Sequence, residues 1–390
     1  MEIRLITPEE WKRTEELFAL AFRIPLSRRQ PAKPDDHLHW AAFDEDGEMM
    51  STLTVPTYTM WFDGQPVRMG GIGGVATLPQ YRRRGGIRGC FEVLLPELYR
   101  RGYDFSYLYP FSTCFYRKFG YESCVQKQVV TVELHALRTN YFTGTYRMAE
   151  PGRDLRRDFQ AVDAIWERSC NMQVLHEQPE DYRWVTELDP AAGDEYAFVW
   201  YDESGAPAAY VRYQPKEDTL ECSRFHFTTP QSFLALLGLL QGASTVQSKV
   251  RFFLPENRAV YYLLREWSWN AISWNQINGG MVRVIRVQPV LEKAKYIGSG
   301  QVTVAVTDPQ ISENTGTYRV CFRDGRAQTV SKTDAAPDAV LTVPAFSALI
   351  SGVCSFEEAA KWLPGVEQKR DNPALSQVFY RKEMYIEEEF

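Results

Sequence analysis

The spacing of apolar residues near the start of the chain predicts one helix followed by several strands. Apolar side chains recur every three or four positions over residues 11–22, which is typical of an amphipathic helix. Before it, Thr7 as the cap, Pro8 as the first helical residue and Glu10 three residues after the threonine form a capping-box pattern. Strand-like runs separated by hairpin-type turns follow at 39–43, 49–61 and 65–78.

The turn between the last of these strands and the next helix is rich in arginine and glycine. After Pro79 the chain continues through Arg82, Arg83, Arg84, Gly85 and Gly86 into a helix predicted at 87–101, which Pro96 should kink or shorten. Helix N-termini suit phosphates, glycines let the backbone approach an anion, and arginines add charge-assisted hydrogen bonds. The turn therefore predicts a site for a phosphorylated cofactor. The alternative is a solvated basic turn, the commoner role of such charge runs.

A second segment repeats the order of elements of the first segment but lacks the arginine-glycine turn. A short buried strand at 105–109, a helical turn at 115–119 and a strand at 129–134 complete the first segment. The second contains helices predicted at 154–171, 231–240 and 258–267, and strands at 196–201, 208–213, 219–228 and 249–254. Where the turn would fall, the sequence is Phe227-Thr228-Thr229-Pro230-Gln231. We therefore expect a duplicated domain that has lost its cofactor site.

The third segment predicts a smaller mixed domain. Strands are expected at 302–306, 318–322 and 340–343, short helices at 344–351 and 355–362, and a hairpin turn at Asp324-Gly325. We place the domain boundaries so that the three domains span residues 1–142, 143–288 and 289–390.

Composition narrows the possible functions. A chain of 390 residues is too long for one ordinary hydrophobic core, so we expect more than one domain. Its net charge of −6 argues against nucleic acid as the main partner. The seven cysteines are scattered and odd in number, which favours reduced thiols in a cytosolic protein. His37 and His39 are the only close histidine pair, with no cysteine nearby, so we expect no metal site. Neither a signal peptide nor a membrane-spanning stretch is present, so we expect a cytoplasmic protein without a membrane partner.

Two motifs together resemble the GNAT N-acetyltransferases. The first is Arg82-x-x-Gly85 after a strand, and the second is Phe115-Tyr116-Arg117-Lys118-Phe119-Gly120-Tyr121. The family wraps the pyrophosphate of acetyl-CoA with the first motif, although Ile87 stands here where the family has glycine or alanine. The whole layout resembles the Eis family of these enzymes. That implies an α+β fold of mixed α/β type: tandem GNAT domains, the second degenerate, then a domain like a sterol carrier protein.

The resemblance also implies a role for each site residue. Acetyl-CoA would be bound by Val75, Ala76, Thr77, Arg82, Arg83, Gly85, Gly86 and Ile87. The Val75 N–H would polarise the thioester carbonyl, and Tyr116 would supply the proton for the leaving thiolate. Tyr116 could instead be a packed aromatic residue, and Tyr109 and Tyr121 are nearby alternatives. The α-carboxylate of Phe390 would act on the amine, unless the chain end is frayed; Met384, Tyr385, Ile386 and Phe390 are apolar enough to dock.

The acceptor is expected to be a cationic amine. Glu387, Glu388, Glu389 and the chain end concentrate negative charge, to which Asp35 and Asp36 could add. A solvated acidic tail is the alternative for these side chains. Three aromatic residues, Phe22, Trp40 and Phe111, could wall the acceptor site, although we favour a core position for each.

The resemblance implies direct acetyl transfer to polycations such as aminoglycosides, without a covalent enzyme intermediate, by a homo-oligomer that is hexameric in the family. The alternatives are acetylation of a lysine or a small-metabolite amine, or a lipid-binding carrier.

Overall fold

A computed structural model of the chain describes residues 1–24, 37–137, 144–193, 195–256, 258–264, 268 and 270–388. The described residues form two compact units. The first unit contains those of 1–125, 279–382 and 387–388, and the second those of 126–278 and 383–386. The predicted mixture of helices and strands is confirmed in both. The boundaries at 142 and 288 stay predictions.

The first unit begins with a sheet flanked by helices. Its elements are β1 (Glu2–Leu5), α1 (Trp11–Phe22), β2 (His37–Phe43), β3 (Met49–Phe62), β4 (Gln65–Thr77), α2 (Gly86–Arg100), β5 (Phe105–Leu108) and α3 (Thr113–Arg117). Strands β1 to β4 pair antiparallel in chain order, and β5 lies parallel to β4. The apolar side of α2 packs on the sheet through Phe91, Leu94 and Leu98. Pro96 lies inside this helix, which continues to Arg100, so shortening, the one of the two predicted effects that the helix length can test, is absent.

The second unit contains a sheet in which six strands follow one another and a seventh borders the first of them. Its elements are β6 (Glu122–Glu133, from residue 126 on), β7 (Thr145–Met148), α4 (Arg156–Trp166), α5 (Arg183–Glu187), β8 (Tyr196–Tyr201), β9 (Pro207–Lys216), β10 (Thr219–Phe227), α6 (Pro230–Gln241), β11 (Lys249–Pro255) and β12 (Ile272–Val284, to residue 278). The six strands follow the order β6-β11-β10-β9-β8-β7, with β10 and β11 parallel.

The helix predicted at 258–267 is wrong for the described residues of that range, which contain one 3-10 turn at Val260–Leu263. The residues of this turn include a β-branched valine and two tyrosines, which have low helix propensity.

The rest of the first unit forms the third predicted segment. Residues 281–284 of β12 pair with β5. The elements that follow are α7 (Val287–Lys293), β13 (Gly300–Thr307), β14 (Gly316–Arg323), β15 (Arg326–Lys332), β16 (Ala339–Thr342), α8 (Val343–Ser351), α9 (Phe356–Trp362), β17 (Val366–Gln368) and α10 (Ala374–Val378). Their sheet has the order β15-β14-β13-β16-β17. The predicted hairpin turn is confirmed, because Asp324 and Gly325 have φ of 52° and 77° between β14 and β15.

A buried ion pair connects the two parts of the first unit. Arg283 is 0% exposed, and its Nη2 lies 2.8 Å from Asp308 Oδ1. The Arg283 Nε also donates to the carbonyl of Phe119, 2.7 Å away, in the turn that follows α3. Asp308 in turn accepts the backbone N–H groups of Gln310 and Ile311, both at 3.1 Å. The loop after β13 therefore fixes the position of the turn after α3.

Replacing Asp308 by alanine should destabilise the first unit strongly. The substitution leaves the Arg283 guanidinium buried without its counter-charge, which costs about 3–5 kcal/mol. Equilibrium urea unfolding should show a clearly lower midpoint. The matched control is Glu367→Ala, which removes an exposed ion pair with Lys369 in the same unit and should change stability by less than about 1 kcal/mol. Equal, small shifts for both variants would contradict this role of Asp308.

Candidate active site

Strand β4 contains one extra residue where it pairs with β3. Thr54 pairs with Gly73 and Thr52 with Ala76, so two residues of β4, Gly74 and Val75, oppose one of β3. Gly74 has φ of +58°, and a Cβ there would lie 3.1 Å from the Thr54 Cγ2. This is a β-bulge, which interrupts the ladder and leaves a residue unpaired. We did not predict this bulge from the sequence, although two adjacent glycines within a strand pattern, Gly73 and Gly74, are a signal that would have indicated it.

Strands β4 and β5 stop pairing just before this bulge. Their parallel pairs end at Ile72 and Leu108, while β4 continues to Thr77. On the side of β4 that faces β5, none of the described residues pairs with residues 73–77. Backbone N–H and C=O groups exposed along such an edge can hydrogen-bond an extended ligand as an added strand would. Val75, Ala76 and Thr77, the residues predicted to bind the pantetheine arm, lie there.

The turn into α2 presents backbone N–H groups at the helix start. Gly85 is the N-cap with φ of +88°, and no side chain caps the helix. The Gly89 N–H donates to the Gly85 carbonyl at 2.9 Å, so the N–H groups of the three residues between them precede the first bond of the α-helical ladder. Arg83 also has a positive φ of 66°, uncommon for a residue with a side chain. Uncapped N–H groups beside exposed Arg82 and Arg83 suit a pyrophosphate.

The two glycines of this turn serve different purposes. Gly85 supplies the left-handed backbone, since a Cβ there would contact no atom within 4 Å. Gly86 permits close packing, because its Cβ would lie 2.5 Å from the Ser51 Oγ on β3. Ile87, at the position where a small residue was expected, is only 9% exposed and packs in the core cluster of Phe91. Its side chain therefore extends into the core and not across the turn.

Tyr116 lies in α3 within a cluster of aromatic rings. It is 2% exposed, and the rings of Phe91, Phe111, Phe115 and Tyr121 have centroids between 5.2 and 6.4 Å from its own. Burial raises the pKa of its phenol well above the ordinary value. Val75, Ile87 and Tyr116 contribute to the same core cluster, so the structure brings these three predicted site residues together.

The neighbouring tyrosines differ from Tyr116 in their hydrogen bonds. The Tyr121 hydroxyl pairs with Ser106 Oγ at 2.7 Å, and the Tyr109 hydroxyl donates to the Glu388 carbonyl at 2.7 Å. Among the described residues, none hydrogen-bonds the Tyr116 hydroxyl. Of the three candidates, Tyr116 therefore has its proton most available to a ligand.

The C-terminal segment of the chain is docked, as its apolar residues predicted. Met384, Tyr385 and Ile386 are at most 2% exposed, and Glu387 and Glu388 are half-buried. The interpretation as a frayed end is wrong for these five residues. In the first unit Glu388 lies close to Tyr58, whose pKa is raised mainly by burial and further by the charge of Glu388. No sequence signal pointed to Tyr58. The predicted site residue Phe390 lies outside the described residues, as do Glu389, Asp35 and Asp36.

The three aromatic residues considered as walls of the acceptor site differ in exposure. Trp40 is 7% exposed and belongs to the core, as we favoured. Phe22 and Phe111 are 47% and 71% exposed, so a core position is wrong for both. Phe111 lies against Tyr116, with ring centroids 5.3 Å apart, and is available as a wall beside it.

The corresponding helix start in the second unit is already capped by its own side chains. Helix α6 begins at Pro230, which has no N–H to offer. The Ser232 Oγ accepts the N–H groups of Thr228 and Thr229, at 3.1 and 2.9 Å, and the Thr229 Oγ1 accepts that of Ser232. Most N–H groups at the start of α6 are therefore absent or already capped, unlike those of α2, consistent with a degenerate second domain.

Comparison with known proteins agrees with this arrangement. A family model described as an acetyltransferase (GNAT) domain matches residues 2–124, another so described matches 174–285, and a sterol carrier protein domain matches 287–385. N-acetyltransferase Eis of Mycobacterium tuberculosis and of Mycobacterium bovis is 24% identical over 282 residues, covering 69% of this chain and 67% of theirs.

Two solved structures have the same fold over the whole chain. A probable N-acyltransferase from Enterococcus faecalis has a TM-score of 0.85 at 22% identity, covering 100% of this chain and 99% of the other. Eis1 from Mycobacterium abscessus has a TM-score of 0.79 at 18% identity, covering 100% of both chains.

Two GNAT domains followed by a sterol carrier protein domain define the class of this protein, a GNAT N-acetyltransferase. Within that class the chain is similar to the proteins named N-acetyltransferase Eis. Its activity is the transfer of an acetyl group to an amine, and GNAT acetyltransferases use acetyl-CoA as the donor. The fold and the activity implied by the two sequence motifs are thus confirmed.

Substituting Gly86 by alanine should disturb the start of α2. The new Cβ would meet the Ser51 Oγ at 2.5 Å and the Ser51 Cβ at 3.0 Å, so helix and sheet must separate. We expect a loss of about 1–3 kcal/mol, typical of overpacking, measured by chemical denaturation.

Replacing Ser51 by glycine in the same molecule removes both contacts and should restore part of the loss, with Ser51→Gly alone as the control. No recovery in the double variant would mean that the glycine is required for another reason.

Proposed function

We propose that this enzyme acetylates amines of polycationic acceptors such as aminoglycosides, using acetyl-CoA bound in the first domain. The observation that carries the donor site is the combination of a bulged, unpaired β4 edge with an uncapped α2 start. In this proposal Val75, Ala76 and Thr77 bind the pantetheine arm through their backbone. Arg82, Arg83 and the N–H groups of Gly85, Gly86 and Ile87 hold the pyrophosphate.

The chemical step is a direct transfer. The neutral amine attacks the thioester carbonyl carbon, the C–S bond breaks, and the thiolate leaves with a proton from the Tyr116 phenol. The Val75 N–H, released from the β-ladder by the bulge, stabilises the oxygen that becomes negative. Because burial raises the pKa of Tyr116, the phenol keeps its proton at neutral pH and can act as the donor. The amine nitrogen gives its proton to the Phe390 α-carboxylate or to water, and Tyr116 regains from solvent the proton that it gave to the thiolate.

The acceptor side is supported by acidic residues beside Tyr109. Glu388 is bonded there through its carbonyl, and Glu387 precedes it in the chain. Two half-buried carboxylates in a partly desolvated site favour cationic acceptors over neutral or anionic ones. The proposal includes the α-carboxylate of Phe390 as the group that orients the ammonium and accepts its proton, directly or through water.

Acetyl transfer to kanamycin and neomycin tests the proposed substrate class. Thiol release from acetyl-CoA should accompany modification of both, whereas a lysine-containing peptide and a small monoamine should be acetylated much more slowly. Faster turnover with the peptide or the monoamine would replace aminoglycosides by that acceptor. Absence of turnover with every amine, despite bound CoA, would overturn the proposal.

Tyr116→Phe should lower kcat by about 10²–10⁴-fold, the usual contribution of a general acid. CoA affinity should be unchanged, because the phenol oxygen acts only at the leaving thiolate. Wild-type kcat should show no loss on the alkaline side below about pH 10, since the pKa of Tyr116 lies above that of an ordinary tyrosine. Tyr121→Phe, a phenol in the same aromatic cluster, is the matched control. An equal effect of both substitutions would mean that packing, not proton donation, is lost.

Deleting Phe390, or appending residues after it, should lower kcat at least about tenfold while leaving CoA binding intact. The reason is that either change moves the carboxylate away from the amine. Steady-state kinetics and calorimetric titration with CoA separate the two effects. Unchanged turnover in both variants would remove this carboxylate from the mechanism.

The proposal extends to a homo-oligomeric, cytoplasmic enzyme, hexameric like the family it resembles. Light scattering measures the assembly directly. Within the described ranges of the chain, the helices are all too short or too polar to span a bilayer.

A further inference from the structure

A bidentate ion pair between Arg258 and Glu383 holds the C-terminal segment in the second unit. The Arg258 Nε donates to Glu383 Oε1 at 2.8 Å, and its Nη2 donates to Glu383 Oε2 at 2.9 Å. The same Nη2 also donates to the Ser169 Oγ at 3.1 Å. The guanidinium lies over the ring of Trp166, 5.0 Å from its centroid. A forked contact of this kind fixes the direction of a carboxylate as well as its distance.

Backbone hydrogen bonds and apolar burial follow directly along the same segment. The Asn171 N–H donates to the Glu383 carbonyl and the Tyr385 N–H to the Asn171 carbonyl, both at 2.9 Å. Met384 thus forms a bridge of parallel-strand type with Asn171. Tyr385 is 0% exposed and belongs to the central core cluster of this unit, where its ring meets that of Trp166 edge-on. The segment is therefore fixed by charge, backbone and core contacts together.

The position of this segment in the chain gives it significance. Only Glu387 separates Ile386, the last residue held in the second unit, from Glu388, whose carbonyl is bonded by Tyr109 in the first unit. Two residues span at most about 7 Å, so fixing Ile386 strictly limits where the acidic end of the chain can lie. The second domain has lost its own donor site but keeps a site for this segment.

We propose that Arg258 is a positioning residue for the acetyl-transfer reaction, because it holds Glu383 and thereby sets the place of the acidic C-terminal segment. This inference rests on the proposed function, in which that segment meets the acceptor amine. It assigns to the degenerate GNAT domain the task of anchoring the segment. Arg258 itself touches neither substrate nor reacting atoms in this scheme.

The test compares Arg258→Met, Glu383→Met and the double variant in the full chain. Each single change should lower kcat with kanamycin on the order of 10- to 100-fold, the usual result of a misplaced catalytic segment, while CoA affinity stays unchanged. If Arg258 and Glu383 act only through their mutual contact, the loss of kcat in the double variant should be no greater than the smaller of the two single-variant losses. Arg258→Lys keeps the charge but not the fork and should recover only part of the rate.

A second measurement reports on the segment itself. Hydrogen exchange of the Tyr385 amide, which donates to Asn171, should become faster in Arg258→Met. The matched control is Arg251→Met, which removes another ion pair of the second unit, with Glu221 at 2.7 Å. It should alter neither kcat nor the exchange at Tyr385.

The outcomes separate this inference from the proposed function. If removal of Phe390 lowers kcat but Arg258→Met and Glu383→Met do not, the anchoring role is wrong and the proposed mechanism stands. Additive losses in the double variant, or equal loss in Arg251→Met, would also overturn it, since they indicate general destabilisation. If the wild-type enzyme acetylates no polycation, the proposed substrate class fails, and the exchange measurement still decides whether Arg258 holds the segment.

Discussion

The proposed acetyl-CoA site depends on one extra residue in strand β4. The bulge at Gly74 and Val75 takes their backbone out of the β3 ladder, just beyond the point where β5 stops pairing with β4. Without that local break, the β3 side of this stretch would be paired continuously, and only the side that β5 leaves would be open. The bulge requires a positive φ and has Thr54 close by, which explains why glycine stands at position 74. The donor site begins with this single irregularity.

A buried charge pair then keeps Tyr116 in its place relative to that strand. The Tyr116 carbonyl accepts the N–H of Phe119, whose own carbonyl accepts from Arg283. Arg283 is bound to Asp308 in the loop after β13, and Gly120 provides the space, since a Cβ there would lie 2.8 Å from the Arg283 Nε. The sterol carrier protein domain thus forms part of the support for α3, the helix that contains Tyr116. A guanidinium with its fixed donor geometry suits this task better than an apolar contact.

The duplicated domain shows how a binding site is lost without loss of the fold. Helix α6 occupies the place of α2 in the order of elements. Its first residue, a proline, has no N–H, and threonine and serine side chains cap other N–H groups at its start, whereas no side chain caps the glycine-rich start of α2. Strands β10 and β11 remain parallel, like β4 and β5. Elsewhere in this unit, Arg258 and Asn171 bind the C-terminal segment. A domain whose helix start is capped by its own side chains can therefore still hold another part of the chain.

Local patterns were sufficient for most elements of this protein. The capping box of Thr7 with Glu10, alternating strands and the Asp324-Gly325 turn depend on residues a few positions apart, and the structure contains each. The arginine-glycine turn and the 115–121 motif that contains Tyr116 were recognisable for the same reason, since each is a short run of neighbouring residues. The helix expected at 258–267 failed because apolar spacing outweighed propensity in that prediction.

Tertiary structure alone decided the contacts that make the site specific. The contact between Gly86 and Ser51, the Arg283–Asp308 pair and the bond from Arg258 to Glu383, 125 residues away, join separate elements. No local period records such pairings, because they depend on the register of strands and the direction in which loops return. The sequence determined which chemistry the first domain carries. Only the folded chain decided that the second unit would hold residues 383–386, which lie 125 residues from Arg258 at their first position.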